Sequence, residues 1–225
     1  MTPQRLMYYR LLAYRGHRAA QRVVDAFNPD QPREADGKWG DGGGASGAGS
    51  KSGEPTPAAR ERLTSREFLI VNKPVEWGCV VDREGRAILD KVGEKTEVSF
   101  SGDEIEQMKD RHFTHNHPSG SSLSKEDLNL ALDADLASMS AVGKSKIDGK
   151  TYRYSFTRPK AGWPSSQMVK SVTREIESDL KNDFYGQIAK GRMSVQEANH
   201  SHTHELWTRV ATTVDINYRR EELKP

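Results

Sequence analysis

The chain has one cysteine, Cys79, so no intramolecular disulfide can staple it, and a reducing compartment suits it. It has no apolar run long enough to span a bilayer. No continuous hydrophobic stretch of the kind a secretory signal needs follows the basic residues at its start. These absences exclude a disulfide framework and predict a soluble, cytoplasmic protein with no membrane partner. Net charge is nearly absent too: 34 Lys and Arg stand against 32 Asp and Glu, leaving +2. The local excess lies at the start, where Arg5, Arg10, Arg15, Arg18 and Arg22 face one acid, Asp25. No basic stripe runs through the middle to neutralise a phosphate backbone, so nucleic acid is a disfavoured partner. Apolar residues are scarce as well. With 34% hydrophobic residues, 29% charged residues and a mean hydropathy of −0.81, a core is available to part of the chain only.

What is present divides the chain into four segments. Residues 1–27 place Leu6, Tyr9, Leu12, Ala20, Val23, Val24 and Phe27 among arginines at helical spacing, which predicts an amphipathic helix weakened at Gly16. Residues 28–56 are rich in Gly, Ser and Pro and nearly free of apolar side chains, which predicts a flexible linker. Residues 57–163 read as short strands separated by turn signals: Glu67–Asn72, Trp77–Val81, Ala87–Val92, Glu97–Phe100, His112–His115, Ser138–Val142 and Thr151–Thr157. Short helices over Gly102–Lys109 and Ser124–Leu136 intervene, so the expected fold is α+β with a mixed sheet that Ser138–Val142 and Thr151–Thr157 close. Residues 164–225 carry two apolar helical stripes. The first contains Val169, Val172, Ile176, Leu180, Phe184 and Ile188; the second opens on the capping-box pair Ser194 and Glu197 and runs to Val214 and Tyr218. So short a connection predicts a helical hairpin.

The chemistry concentrates in THNHPSGSSLSKED, residues 114–127. Side chains two apart on a strand point the same way, so His115 and His117 can offer two imidazole nitrogens to one point. A catalytic zinc takes three protein ligands and keeps a fourth position for water, with nitrogen and carboxylate oxygen both suitable. Once Pro118-Ser119-Gly120 folds the chain back, Asp127 is the natural third ligand. Ser124, one helical turn earlier, faces the same cavity, where a hydroxyl could donate to a developing oxyanion. Ser124 and Asp127 also satisfy a capping-box pattern, which explains both residues without any metal; it does not explain the histidine pair.

His-x-His-Pro followed by Ser-x-x-Asp resembles the signature of JAMM/MPN metalloproteases, and His115-Asn116-His117-Pro118-Ser119-Gly120 resembles its RadC-like version. The resemblance implies a JAMM/MPN-like (cytidine deaminase-like) domain, zinc bound by His115, His117 and Asp127, and Ser124 as a stabiliser of the tetrahedral intermediate. It also requires an upstream glutamate as general base. Glu76, at the head of the apolar stretch Trp77-Gly78-Cys79-Val80-Val81, fits that place, with Glu94 and Glu97 as alternatives. The His117-to-Asp127 spacing is one residue shorter than in most family members, which demands a tighter turn. The implied activity is zinc-dependent peptidase or isopeptidase hydrolysis of a protein or peptide substrate. The linker stretch NPDQPREADGKWGDGGG resembles linkers of phage head-associated proteins. That likeness implies a role in particle assembly, phage head or portal proteins as partners, and location in the host cytoplasm or virion. The alternative reading is a non-catalytic head-morphogenesis protein that retains a metal-binding scaffold.

Four further features carry structural readings. The literal HNH at His115–His117 is a coincidence, because the nuclease motif of that name is dispersed over a ββα unit. His112 falls on the opposite strand face from His115. In the helical segment His200 and His204 share a face near Glu197 whereas His202 falls on the apolar stripe, which reads as a partly exposed helix surface. Cys79, inside an apolar strand, reads as a small buried residue.

Overall fold

Among residues 53–224, which the computed structural model describes, six strands and five helices form a mixed α/β fold. The helix expected over 1–27 and the linker as far as residue 52 lie outside the described residues. The strands β1 (Trp77–Val81), β2 (Ala87–Val92), β3 (His112–Asn116), β4 (Ser138–Lys144), β5 (Thr151–Thr157) and β6 (Asn217–Glu222) assemble into one sheet of order β2-β1-β3-β4-β5-β6. All neighbours are antiparallel except β3 and β4, which run parallel with His115 opposite Ala141. A parallel pair needs a crossover connection, and the loop after β3 together with helix α3 (Lys125–Asp133) supplies it.

Local chemistry explains the elements. The β1–β2 hairpin turns at Asp82, whose Oδ1 accepts from the backbone N–H groups of Glu84 and Arg86 while Gly85 takes the left-handed φ of 83°. Helix α1 (Pro57–Ile70) starts on the Thr56 side chain, which accepts from Ala59 N, and has proline in its first turn. This helix corrects the strand expected at Glu67–Asn72. The apolar run Phe68-Leu69-Ile70-Val71 looks like a strand, but the buried positions Ala59, Leu63, Glu67 and Ile70 recur at helical spacing while Leu69 is 67% exposed. A second correction concerns Glu97–Phe100, which forms no strand. The chain turns at Gly93, with Glu94 N–H donating to Glu97 C=O, and then runs on to α2 (Gly102–Gln107) without joining the sheet.

The two long helices α4 (Ser166–Ala189) and α5 (Val195–Val214) are those expected, and the Ser194–Glu197 capping box is present. Tyr218 is not on the second of them. Asp215 adopts a left-handed φ of 62° that ends α5, and Asn217–Glu222 pairs with β5, so β6 closes the sheet instead of Thr151–Thr157. One face of the sheet packs Cys79 and Val81 against Ala59 and Leu63 of α1. The same face buries the Glu67 carboxylate, which takes hydrogen bonds from Thr114, Ser140 and Arg153. The other face carries Phe156, whose ring meets Trp207 of α5 edge-on. No helix among the described residues is long and apolar enough to cross a membrane.

Candidate metal centre

Strand β3 ends at Asn116, but His117 N–H still donates to Val142 C=O, so the extended backbone carries both histidines with their rings on one side. A turn closed by Gly120 N–H on His117 C=O then reverses the chain. The tighter turn that the short spacing demands depends on two glycines. Gly120 has a φ of 77°, and a Cβ there would sit 2.1 Å from Lys144 O; a Cβ on Gly143 would sit 2.8 Å from Gly120 Cα. No other residue lets this turn lie so closely against β4.

The result is a convergence of donors. The Nε2 atoms of His115 and His117 are 2.9 Å apart. Asp127 Oδ1 is 3.2 Å from His115 Nε2, and Asp127 Oδ2 is 3.4 Å from His117 Nε2. Glu76 Oε1 is 3.8 Å from His117 Nε2. Among the described residues, Glu76, His115 and His117 form a buried group whose ligand atoms lie within 4.8 Å of one another and could hold a metal ion. A tetrahedral ion with bonds of about 2.0–2.1 Å places its donors roughly 3.3–3.4 Å apart; the Asp127 separations of 3.2 and 3.4 Å match this, and the two Nε2 atoms at 2.9 Å would have to spread to admit the ion. Two imidazole nitrogens at 2.9 Å share either a proton, as a hydrogen bond, or a cation, and the carboxylates beside them are the oxygen donors a divalent ion would take.

The surroundings orient these groups. Ser121 C=O lies 3.2 Å from His117 Nδ1, which selects the tautomer whose Nε2 lone pair faces the cluster. Ser124 caps α3: its Oγ accepts from Asp127 N–H at 3.0 Å and donates to Asp127 Oδ2 at 2.8 Å, while Ser124 N–H donates to the same oxygen at 2.6 Å. Capping therefore leaves the carboxylate facing both histidines, with Oδ2 held by the serine and Oδ1 turned to His115. Asn116 points the other way and ties down the chain that leads to Glu76, accepting from Trp77 N–H at 2.7 Å and donating to Val75 C=O at 3.1 Å.

Electrostatics follow from burial beside opposite charge. Burial is the largest influence on Asp127 and pushes its pKa up, but the imidazoles of His115 and His117 outweigh it and hold the carboxyl well below its usual range. Burial raises the Glu76 carboxyl, and the same two imidazoles offset only part of that. Burial acts to lower His117, whereas its bond to Asp127 and the charges of Asp127 and Glu76 bring the net shift upward.

Glu76, Ser124, His115, His117 and Asp127 all line one cavity of about 440 Å³. Of the alternatives to Glu76, both are exposed; Glu94 is not among the residues lining this cavity, whereas Glu97 lines it and its charge adds to the rise of the Glu76 carboxyl. His112 lies on the far face, buried with Nδ1 2.8 Å from Ser138 Oγ, and burial drives its pKa down to about 4. The second histidine cluster shares no ligand point. His200 Nε2 meets Ser145 Oγ at 3.2 Å, His204 Nδ1 meets Tyr218 OH at 2.9 Å, and the His202 ring packs edge-on to Phe184. Cys79 is fully buried, and burial lifts its thiol to about 12, which leaves it no nucleophilic role near neutral pH.

Sequence reasoning misses the pins on the ligand loop. Trp207 Nε1–H donates to Leu123 C=O, and Tyr218 OH lies 2.7 Å from Ser122 Oγ, so α5 and β6 hold the segment between His117 and Ser124. The aromatic character of both residues was the available signal, but nothing local indicates a partner 84 or 96 positions away. Comparison with protein-family models, curated proteins and solved structures returns no match. The fold and site define a mixed α/β domain with a candidate metal centre at the carboxyl end of its parallel strand pair.

Proposed function

We propose that the protein is a zinc-dependent hydrolase of the JAMM type that cleaves an amide bond in a protein or peptide, as peptidase or isopeptidase. The observation that carries this reading is the meeting of two imidazole nitrogens and one carboxylate within 2.9 to 3.4 Å of one another, with the buried Glu76 beside them. His115, His117 and Asp127 would hold the ion, and two nitrogens with one oxygen are a donor set that suits zinc. When bound, zinc supplies Lewis acidity, bringing the pKa of a coordinated water to about 7 and polarising a carbonyl. Glu76, with Oε1 3.8 Å from His117 Nε2, would receive the proton of the attacking water and return it to the departing amine. Ser124 keeps the Asp127 carboxylate in register and lines the same cavity.

A second reading, a metal-binding scaffold without turnover in phage head assembly, draws support from one detail. The Ser124 hydroxyl is engaged with Asp127 Oδ2, so it has its partner without any substrate oxyanion. Elemental analysis of the purified chain beside His117→Ala tests the centre itself: stoichiometric zinc is expected, and its loss in the variant. Glu76→Gln then separates the two readings. It keeps zinc in both, and loses hydrolysis of a peptide panel if the protein is an enzyme. Zinc content unchanged in His117→Ala refutes the centre.

A further inference from the structure

The cavity that holds the donor cluster is much larger than an ion and a water require. At about 440 Å³ it matches a small-ligand site, whereas a water's share of liquid volume is roughly 30 Å³. The extra room has a definite character. Phe113 stacks on the His115 imidazole with centroids 5.1 Å apart and planes 8° from parallel, and Phe100 meets Phe113 edge-on at 5.3 Å. Val98, Ile105 and Leu130 continue this wall, each part-buried at the cavity, while Lys95, Thr96, Glu97 and Glu126 also line it. An apolar surface therefore begins at the back of a metal-ligand ring and extends away from it.

The wall is tied to the chemistry by backbone. Glu76 N–H donates to Glu94 C=O at 2.7 Å and Gly93 N–H to Glu76 C=O at 2.8 Å, so the turn that leads into Val98 and Phe100 is bonded to the residue proposed as general base. Lys91 Nζ bonds Ser99 C=O and the Glu104 carboxylate, fixing the wall against α2. A glycine permits the close approach: a Cβ on Gly93 would lie 2.1 Å from Glu97 O. Such a surface is pre-formed, so a ligand covering it loses little free energy to ordering the protein.

We infer that the site selects a carbonyl substrate bearing a bulky apolar side chain beside the cleaved bond, and that Val98, Phe100, Ile105, Phe113 and Leu130 form the specificity pocket for it. The inference rests on the zinc-hydrolase reading, and hydroxamates, which bind through the metal, separate the two. Acetohydroxamate and 3-phenylpropanohydroxamate are titrated calorimetrically into the zinc-loaded full chain. Burying a phenyl group takes its apolar surface out of water, so the phenyl compound is expected to bind at least about tenfold more tightly. Ile105→Asp and Ile105→Trp, one making the wall polar and the other filling it, are each expected to erase that gain and leave acetohydroxamate binding as it was. Equal affinities for the two compounds in the parent protein, or a gain that survives both variants, overturn the pocket while the metal centre stands. A chain that takes up no zinc and binds neither compound overturns both.

Discussion

Replacing Ser124 by alanine tests whether one hydroxyl serves both helix and metal. The change removes the 3.0 Å bond from Asp127 N–H and the 2.8 Å bond to Asp127 Oδ2, and leaves the Ser124 N–H bond to that oxygen. Losing an N-cap costs about 1 kcal/mol, within a range of about 0.5–2, and the lost bond to an ionised carboxylate places this site in the upper half of that range. The larger expected effect is on the ion. With one tether instead of two, the carboxylate can rotate and Oδ1 leaves its place beside His115 Nε2. Loss of a group that orients a ligand typically lowers metal affinity about 10–100-fold, which is about 1.4–2.8 kcal/mol. Zinc affinity is measured by competition with a chromogenic chelator, and the stability of the metal-free protein by urea unfolding. Ser124→Thr keeps a hydroxyl and is expected to restore most of both. If Ser124→Ala binds zinc as the parent does and loses only turnover, the hydroxyl acts on the substrate and the positioning argument is wrong.

Three further perturbations have definite expected outcomes. Gly120→Ala adds a Cβ at a left-handed φ and 2.1 Å from Lys144 O; it is expected to destabilise by about 2 kcal/mol or more, whereas Gly149→Ala, left-handed but in open space, costs about 1 kcal/mol, both read from urea midpoints. Glu67→Ala takes from Arg153 its buried partner and leaves it the exposed-side bonds to Glu221 and Thr64, so it is expected to cost about 3 kcal/mol, while Glu67→Leu combined with Arg153→Met recovers most of it; a single-variant cost below about 1 kcal/mol shows the pair to be solvated. His112 titrates near 4 in the fold against an ordinary 6.5, so the unfolded chain takes up the proton first. Its contribution is whole above pH 6.5 and is lost as pH falls toward 4, about 3 kcal/mol in all; in His112→Gln the slope of stability against pH over that window should flatten by up to one proton.

The parts of this protein legible in its sequence are those set by neighbours. The β1–β2 hairpin follows from Asp82 and Gly85, and the meeting of His115, His117 and Asp127 from a two-residue strand period joined to a capping box, because each signal lies within a dozen residues. Helix α1 was hidden because its buried stripe includes the charged Glu67, while Phe68 and Leu69 face outward. Strand β6 was hidden because Asn-Tyr-Arg-Arg-Glu-Glu is an edge strand dressed in charge, which protects a sheet edge and removes the apolar alternation that would reveal it. The apolar wall of the cavity needed the turn at Gly93, which sends Val98 and Phe100 away from the sheet.

The phenol of Tyr218 reaches a serine 96 residues earlier in the chain. A ribosome adding roughly 5–20 residues per second takes about 5–20 s to cover that distance. Throughout that interval the histidines, the turn and the capping serine have been made while their anchor has not. Completion of the candidate centre in its final geometry is therefore a late event in the life of each new molecule, set by the arrival of β6 and not by the synthesis of the residues that line it.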